Sequence, residues 1–452
     1  MCGIFGIVSN QDVARPISLG LYDLQHRGEQ GAGIVIFDGG EYHSHKREGL
    51  VTEVFPEQII EKLRGNFGIG HTRYSTIGDL KREEMFFNIQ PLEGEFQGDS
   101  FWVAHNGNLV GLEPLKKEVE EKGYHFRTTS DTEVIVGLIS VSLKKDFLEA
   151  LLEVLPKLRG GFALAILYKD KVIGVRDRYG IRPLCLGRDE ASFILASESC
   201  AFHTLQGHFL FDIRPGEIIV LDENGINTQL IWAENPQLRL CIFELIYFAR
   251  PDSVIDGQSV YFYRKRAGEI LAKEHPVEAD IVIAVPASGE IYDLGFSQVS
   301  GIPLEKGIFR NRYFSTRTFL TRRGTDRTAL QRIKLHPLRK VVHEKRVVVK
   351  EDSIIRGNVS PAIVVMLREE GAREVHVRVG SSPIRHPCYF GVDMATYGEL
   401  IAASLEAEGV RKYIQADSLG YLSLEGMVKA SGFKRENLDL GCFIGEYPFE
   451  IK

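Results

Sequence analysis

The residue with the most chemistry in this chain is the cysteine at position 2, because removal of Met1 would make it N-terminal. A terminal cysteine carries a thiol nucleophile and, on the same residue, an α-amino group of pKa near ~8 that can take the thiol proton at neutral pH. Gly3-Ile4-Phe5-Gly6-Ile7-Val8 then reads as a buried strand able to hold it rigidly, although the same residues also suit an ordinary first strand. Four further features follow in order. His26-Arg27-Gly28-Glu29-Gln30-Gly31-Ala32-Gly33 is a glycine-rich turn, either a tight loop or a place of close backbone approach to a ligand. Arg73, at the end of a short strand near residues 68–72, suits a two-pronged grip on a carboxylate. Asn106-Gly107, after a strand at 101–105, offers an amide and a backbone N–H to a developing oxyanion, while Asn-Gly equally signals a hairpin turn. Asp131 lies in Thr129-Ser130-Asp131-Thr132-Glu133. It is either part of a helix cap, with Glu133 completing a capping box, or the partner of a substrate ammonium.

A second group of such residues lies far downstream. Residues 346–361 read as a buried strand ending in the adjacent acids Glu351 and Asp352, then Ser353, Arg356, Gly357, Asn358, Val359 and Ser360 before a helix over 361–370. Loop amides at a helix N-terminus bind phosphate, and acids at a strand end suit ribose hydroxyls and a magnesium ion. An acidic turn with a capping serine is the simpler alternative.

The elements that must position these residues divide the chain. Through about residue 232 it is strand-rich, with a helix at 13–25 and strands at 34–37, 101–105, 163–168 and 172–176; a linker follows near 230–237. Beyond it, a helix at 261–273 and continuous apolar strands at 281–285 and 346–349 predict a parallel α/β sheet. The 452 residues allow two or three domains, and the net charge of −6 without a long basic run argues against a nucleic-acid partner. Six cysteines lie far apart, which predicts a reducing cytoplasm. No apolar run approaches the ~20 residues of a membrane span.

The ordered set Cys2-Gly3-Ile4, His26-Arg27-Gly28, Arg73, Asn106-Gly107, Ser130-Asp131 and residues 195–198 resembles the glutaminase domain of class II glutamine amidotransferases. The resemblance implies a four-layer αββα N-terminal-nucleophile hydrolase domain over 2–232, with Cys2 attacking glutamine. It also implies an oxyanion hole of Asn106 and Gly107, and a glutamine site of Arg27, Gly28, Arg73 and Asp131. Residues 346–361 resemble the phosphoribosyl diphosphate (PRPP) signature of type I phosphoribosyltransferases, which implies a parallel-sheet domain over 233–452. With Asn311-Arg312-Tyr313, Arg317-Thr318-Phe319, Lys334-Leu335 and residues 382–387, the whole chain is similar to the amidophosphoribosyltransferase family.

That resemblance implies a PRPP site of Ser288, Lys334, Glu351, Asp352, Ser353, Arg356, Gly357, Asn358 and Ser360. Ser288, Glu351 and Asp352 would hold Mg²⁺, residues 311–334 would form a lid, and ammonia would pass internally between the sites. It further implies a homo-oligomer and purine nucleotide inhibitors. Three departures stand out: Asn358-Val359 replaces a usual pair of threonines, Ala287 stands where an acid is common, and one residue is extra between Tyr313 and Arg317. Cys241, Cys388 and Cys442 are one thiol short of the four that hold an iron–sulfur cluster in some members, so no cluster is expected. Two other functions stay open: amination of a different phosphorylated acceptor, or a second half that binds nucleotide or PRPP only as a regulator.

Overall fold

The computed structural model describes residues 1–74, 87–311 and 332–451. The first half is built on two antiparallel sheets. One has seven strands in the spatial order His208–Asp212, Cys185–Arg188, Ser192–Ala196, Gly3–Ser9, Phe67–Arg73, Gly31–Phe37 and Tyr42–Glu48. The other has six, in the order Gly225–Ile231, Glu217–Asp222, Lys171–Arg176, Gly160–Tyr168, Asp99–Leu109 and Leu92–Phe96.

Strand alternation sorts the apolar residues into layers. Phe5 and Ile7 face outward to the helix Ala14–Asp23, packing with Ile17, Leu21 and Leu24. Ile4 and Val8 face inward, where they join Ile69, Trp102, Ala104, Leu167 and Ile219 between the sheets. Phe101, Val103, Leu164 and Ile166 face the opposite way, onto the helices Asp131–Ser140 and Phe147–Val154. The result is a four-layer αββα sandwich with Gly3–Ser9 central in its sheet, between Ser192–Ala196 and Phe67–Arg73.

The second half holds a parallel four-stranded sheet, Ile281–Ala284, Arg346–Glu351, Glu374–Val379 and Ser418–Tyr421 in that order. Its strands are apolar on both sides: Val348 packs toward the helices Val260–Glu274 and Glu290–Ser300, while Val347 and Val349 pack toward Ser360–Glu369 and Ala407–Ile414. That double burial explains why these strands read as continuous apolar runs. Among the described residues no helix is long and apolar enough to cross a membrane.

Three local expectations need correction. Asn106-Gly107 is no hairpin turn: the strand runs on to Leu109, pairing Asn106 with Ala163 and Gly107 with Phe162. Glu133 does not close a capping box. Ser130 caps the helix through Thr132 N–H, but the Glu133 carboxylate accepts instead from the backbone N–H groups of Arg127 and Thr128. Leu230 and Ile231, read as linker, belong to the last strand of the second sheet.

Candidate active sites

A cavity of about 270 Å³ opens where the ends of the central strands meet, lined by Met1, Cys2, Arg73, Tyr74, Gly107 and Asp131 among others. Backbone bonds fix the nucleophile candidate from three sides. Thr72 Oγ1 accepts from Gly3 N–H at 3.2 Å, Ser197 Oγ accepts from Ile4 N–H at 3.0 Å, and Arg27 Nε donates to the Cys2 carbonyl at 2.9 Å. The thiol lies 3.5 Å from the Tyr74 backbone N–H, a donor suited to stabilising thiolate character. Met1 itself is buried, packed with Ile181, Cys241, Phe243 and Phe390. Burial is the first cause lowering its amino group to about 4, so with Met1 in place the terminal amine is neutral.

Gly107 is the one residue of the expected oxyanion pair that lines the cavity. Its φ of +151° and a position where a Cβ would sit 2.0 Å from the Gly161 carbonyl require glycine. Asn106 is fully buried, and among the described residues neither polar atom of its amide has a hydrogen-bond partner. An uncompensated buried amide is costly in a resting protein and is the kind of group that a reacting ligand satisfies. Asp131 begins its helix, accepting from Leu109 N–H at 2.9 Å through one oxygen. Burial lowers the pKa of the Arg73 guanidinium, the direction that a bound carboxylate would reverse.

Arg27 and Gly28 are placed differently from the expectation. The Arg27 side chain is wholly enclosed by Glu198, Glu244 and the Cys2 carbonyl, so it holds the Cys2 backbone rather than facing the cavity. Gly28 lies against the backbone of Arg73, where a Cβ would come within 2.5 Å. Sequence reasoning missed Gln90, His105 and Asn108, which also line the cavity. Gln90 Oε1 accepts from His105 N–H at 2.6 Å, and Gln90 Nε2 donates to Thr132 Oγ1 at 2.9 Å, a lattice that sets the strand against the Asp131 helix. His105 directly before Asn106 was the available signal. Asn108 Nδ2 donates to the Tyr389 carbonyl at 2.8 Å, bringing the second half to the rim.

At the C-terminal end of the parallel sheet, Glu351 accepts from Ser360 Oγ at 2.9 Å through one oxygen, while the other is buried without a partner among the described residues. Burial, reinforced by the Asp352 charge, pushes Glu351 up to about 8. Asp352 is also pushed up by burial, against hydrogen bonds from Ser288 and Ser353, the latter at 2.5 Å. Ser288, Ser353, Glu351, Asp352 and Ser360 thus form one acidic, hydroxyl-rimmed cradle. Arg356 turns away from it, donating to Glu399 Oε2 at 2.8 Å and to the Asp393 carbonyl at 2.9 Å. Gly357 takes φ of +69° to make the turn, and Asn358 and Val359 are exposed. Lys334 is partly buried, its pKa lowered first by burial and then by Arg310. The expected lid at 311–334 lies largely outside the described residues, as does the extra residue between Tyr313 and Arg317. Lys350, which sequence reasoning passed over, is fully buried directly before the acids, with Nζ 4.7 Å from the Phe296 ring centre and no hydrogen-bond partner among the described residues.

Tyr74, beside Cys2, feels the charges of Asp393 and Arg356; Tyr247 feels those of Asp352, Tyr74 and Glu29. Cys241, Cys388 and Cys442 share one buried cluster with the Asp439 carboxyl close by, and all six cysteines are free thiols.

A sequence profile described as a glutamine amidotransferase domain matches residues 71–204. An amidophosphoribosyltransferase of Methanocaldococcus jannaschii is 46% identical, the match covering 100% of this chain and 98% of the relative. That of Bacillus subtilis is 42% identical over 100% and 94%. The solved structure of glutamine PRPP amidotransferase from B. subtilis, complexed with ADP and GMP, superposes with a TM-score of 0.93 at 41% identity, covering 100% of this chain and 98% of that one. With the same fold and this identity carried along its entire length, the chain belongs to the amidophosphoribosyltransferase family.

Proposed function

We propose that this chain converts PRPP and glutamine to 5-phosphoribosylamine, pyrophosphate and glutamate, the first step of purine synthesis, with residues 2–232 as the glutaminase half and 233–452 as the phosphoribosyl half. The observation that carries the reading is the cavity that gathers Cys2, Arg73, Gly107 and Asp131, in a chain that also holds the cradle of Glu351 and Asp352.

Removal of Met1 vacates its buried place and leaves the Cys2 α-amine beside its own thiol. The amine takes the thiol proton as Sγ attacks the glutamine side-chain amide, and returns it to the departing ammonia. Gly107 N–H and the Asn106 amide receive the negative oxygen, and water then hydrolyses the thioester to glutamate. Arg73 grips the α-carboxylate and Asp131 the α-ammonium. Ammonia passes by way of Tyr74 and Tyr247 to the second site and displaces pyrophosphate at ribose C1.

The chain's residues fit a divalent cation in the cradle, because the bare buried oxygen of Glu351 and the hydroxyl-bonded Asp352 form a hard oxygen set short of positive charge. Ser288, Glu351 and Asp352 would hold Mg²⁺, which when bound neutralises pyrophosphate charge. Asp352 and Glu351 also orient the ribose hydroxyls; the amides from Ser353 to Ser360, at the mouth of the helix Ser360–Glu369, receive the 5′-phosphate. Lys334 and Arg356 complete the charge around PRPP, Arg356 by leaving Glu399. The three buried thiols Cys241, Cys388 and Cys442 are one short of four-thiolate ligation. We place the protein in the cytoplasm as a homo-oligomer, open to purine nucleotide inhibition; the last of these is supported by the relative whose structure is complexed with ADP and GMP.

The test is release of pyrophosphate from PRPP with glutamine and with ammonia. Cys2→Ala is expected to abolish the glutamine-driven reaction and keep the ammonia-driven one. No pyrophosphate release by the parent with either nitrogen source would overturn the reading.

A further inference from the structure

Behind Cys2 lies a buried group of four charges drawn from both halves of the chain. Arg27 Nη1 and Nη2 donate to the two Glu244 oxygens at 2.9 Å each, and Arg27 also bonds Glu198. Arg182 Nη1 donates to Glu244 at 3.2 Å, and Arg182 Nε donates to the Phe390 carbonyl at 2.9 Å. All four side chains are fully shielded from water. Such a set costs desolvation that hydrophobic residues would avoid, so its value lies in fixing geometry. What it fixes is visible: the remaining donor of Arg27, Nε, holds the Cys2 carbonyl at 2.9 Å.

Glu198 and Arg27 belong to the first half. Glu244 does not. It begins a π-helical turn, Glu244–Phe248, just beyond the last strand of the second sheet. The carbonyls of that turn are held in turn by the phosphoribosyl half. Arg264 donates to Leu245 and Ala249 at 3.0 and 2.8 Å, and Tyr292 Oη donates to Ile246 at 3.0 Å. π-turns cost helix geometry and recur at functional positions, here placing one carboxylate against Arg27.

We propose that Glu244 is a positioning residue for glutamine hydrolysis: a carboxylate supplied by the second half that locks Arg27, and through Arg27 the backbone of the nucleophile. The inference rests on Cys2 being that nucleophile. Glu244 does not line the cavity, so its loss disturbs the attack geometry of Sγ while leaving the Arg73 and Asp131 grip in place.

The experiment is Glu244→Gln, assayed for glutamine hydrolysis, for alkylation of Cys2 by iodoacetamide, and for ammonia-driven pyrophosphate release. Glutaminase kcat is expected to fall roughly tenfold to hundredfold, since small displacements of a reacting atom cost that much, with the glutamine KM within about threefold. Alkylation slows alongside it, the ammonia-driven reaction stays at the parent level, and Glu244→Asp gives an intermediate kcat. If E244Q proves insoluble, Arg27→Lys, which keeps the charge but loses the forked bond to Glu244, must show the same split. Unchanged glutaminase kcat, or equal loss of glutamine- and ammonia-driven activities, overturns the inference. Hydrolysis surviving in Cys2→Ala would instead sink the nucleophile assignment on which it rests.

Discussion

At the scale of single residues, the proposed glutaminase site keeps polar and charged groups away from water: among the described residues the Asn106 amide is buried without a partner, and Arg73 carries a charge that burial disfavours. Asp131 accepts from Leu109 N–H through one oxygen, and its other oxygen lies 3.8 Å from His105 Nδ1. Arg73→Lys is expected to raise the glutamine KM about tenfold or more with a smaller change in kcat, because an ammonium cannot reproduce a forked grip on a carboxylate; steady-state hydrolysis measures it, and an unchanged KM would remove Arg73 from the site. Intact mass of active protein is expected to show Met1 absent, since a retained Met1 keeps the Cys2 nitrogen in a peptide bond and its own amine neutral and buried. An active preparation with Met1 fully retained would exclude the amine as base. Cys2, Arg73 and Asp131 were legible because each would do its proposed chemistry at the end of a strand or helix, and Gly107 because Asn-Gly is a distinctive pair even within its strand. Arg27 was not. Its direction is set by Glu198 and Glu244, 171 and 217 residues further along the chain, and no local pattern announces a partner at that distance.

At the scale of elements, strand and helix periodicity located nearly every piece that carries a site, while turn chemistry misled where tertiary pairing prevailed. Asn-Gly favours a hairpin in isolation, yet nine paired positions with the neighbouring strand keep Asp99–Leu109 extended through it, and the glycine is needed for its positive φ within the strand. Gly107→Ala is therefore expected to separate these strands and lower the melting temperature as well as hydrolysis, its Cβ having only 2.0 Å to the Gly161 carbonyl. Parental thermal stability in that variant would contradict the packing. The loop before the helix Ser360–Glu369 differs in kind, because the side chains of Asn358 and Val359 are exposed, Val359 serving the helix through its carbonyl alone. Replacing both by Thr adds hydroxyls where backbone amides alone receive the 5′-phosphate, and PRPP affinity is expected to tighten by about tenfold for each hydrogen bond gained. Calorimetric titration with PRPP and magnesium reads it; weaker binding in the double variant would move the phosphate elsewhere.

At the scale of the whole molecule, the halves are joined by buried charge as much as by apolar contact, a feature that composition alone conceals. Besides the Glu244 group, Arg176 at the end of a first-half strand donates twice, at 2.7 Å each, to Asp256 in the short hairpin that follows the π-turn. Asp212 shares this joint. Burial first, then the Asp256 charge, pushes it up to about 7, with Arg176 opposing. Its folded pKa is thus raised above the unfolded value of 3.8, so the folded state binds the extra proton. The stability from protonated Asp212 is complete below the unfolded value and is lost as pH rises through about 7. Asp293 and Asp439, each pushed up to about 7 by burial, add the same sign. Buried His71 and His105, whose pKa values burial lowers, contribute with the opposite sign over the same range, so the Asp212 share is read as the difference between variant and parent. Asp212→Asn keeps an acceptor for the backbone N–H groups of Asp256 and Gly257 but cannot ionise. Partial exposure limits its share to on the order of 2 kcal/mol at the alkaline end, seen as a raised urea midpoint near about pH 8 and little change near about pH 5. The ammonia-driven reaction should persist at the alkaline end, because the clamp lies outside both proposed sites. An Asp212→Asn protein with the parent's full pH slope would show that the joint carries no titrating charge.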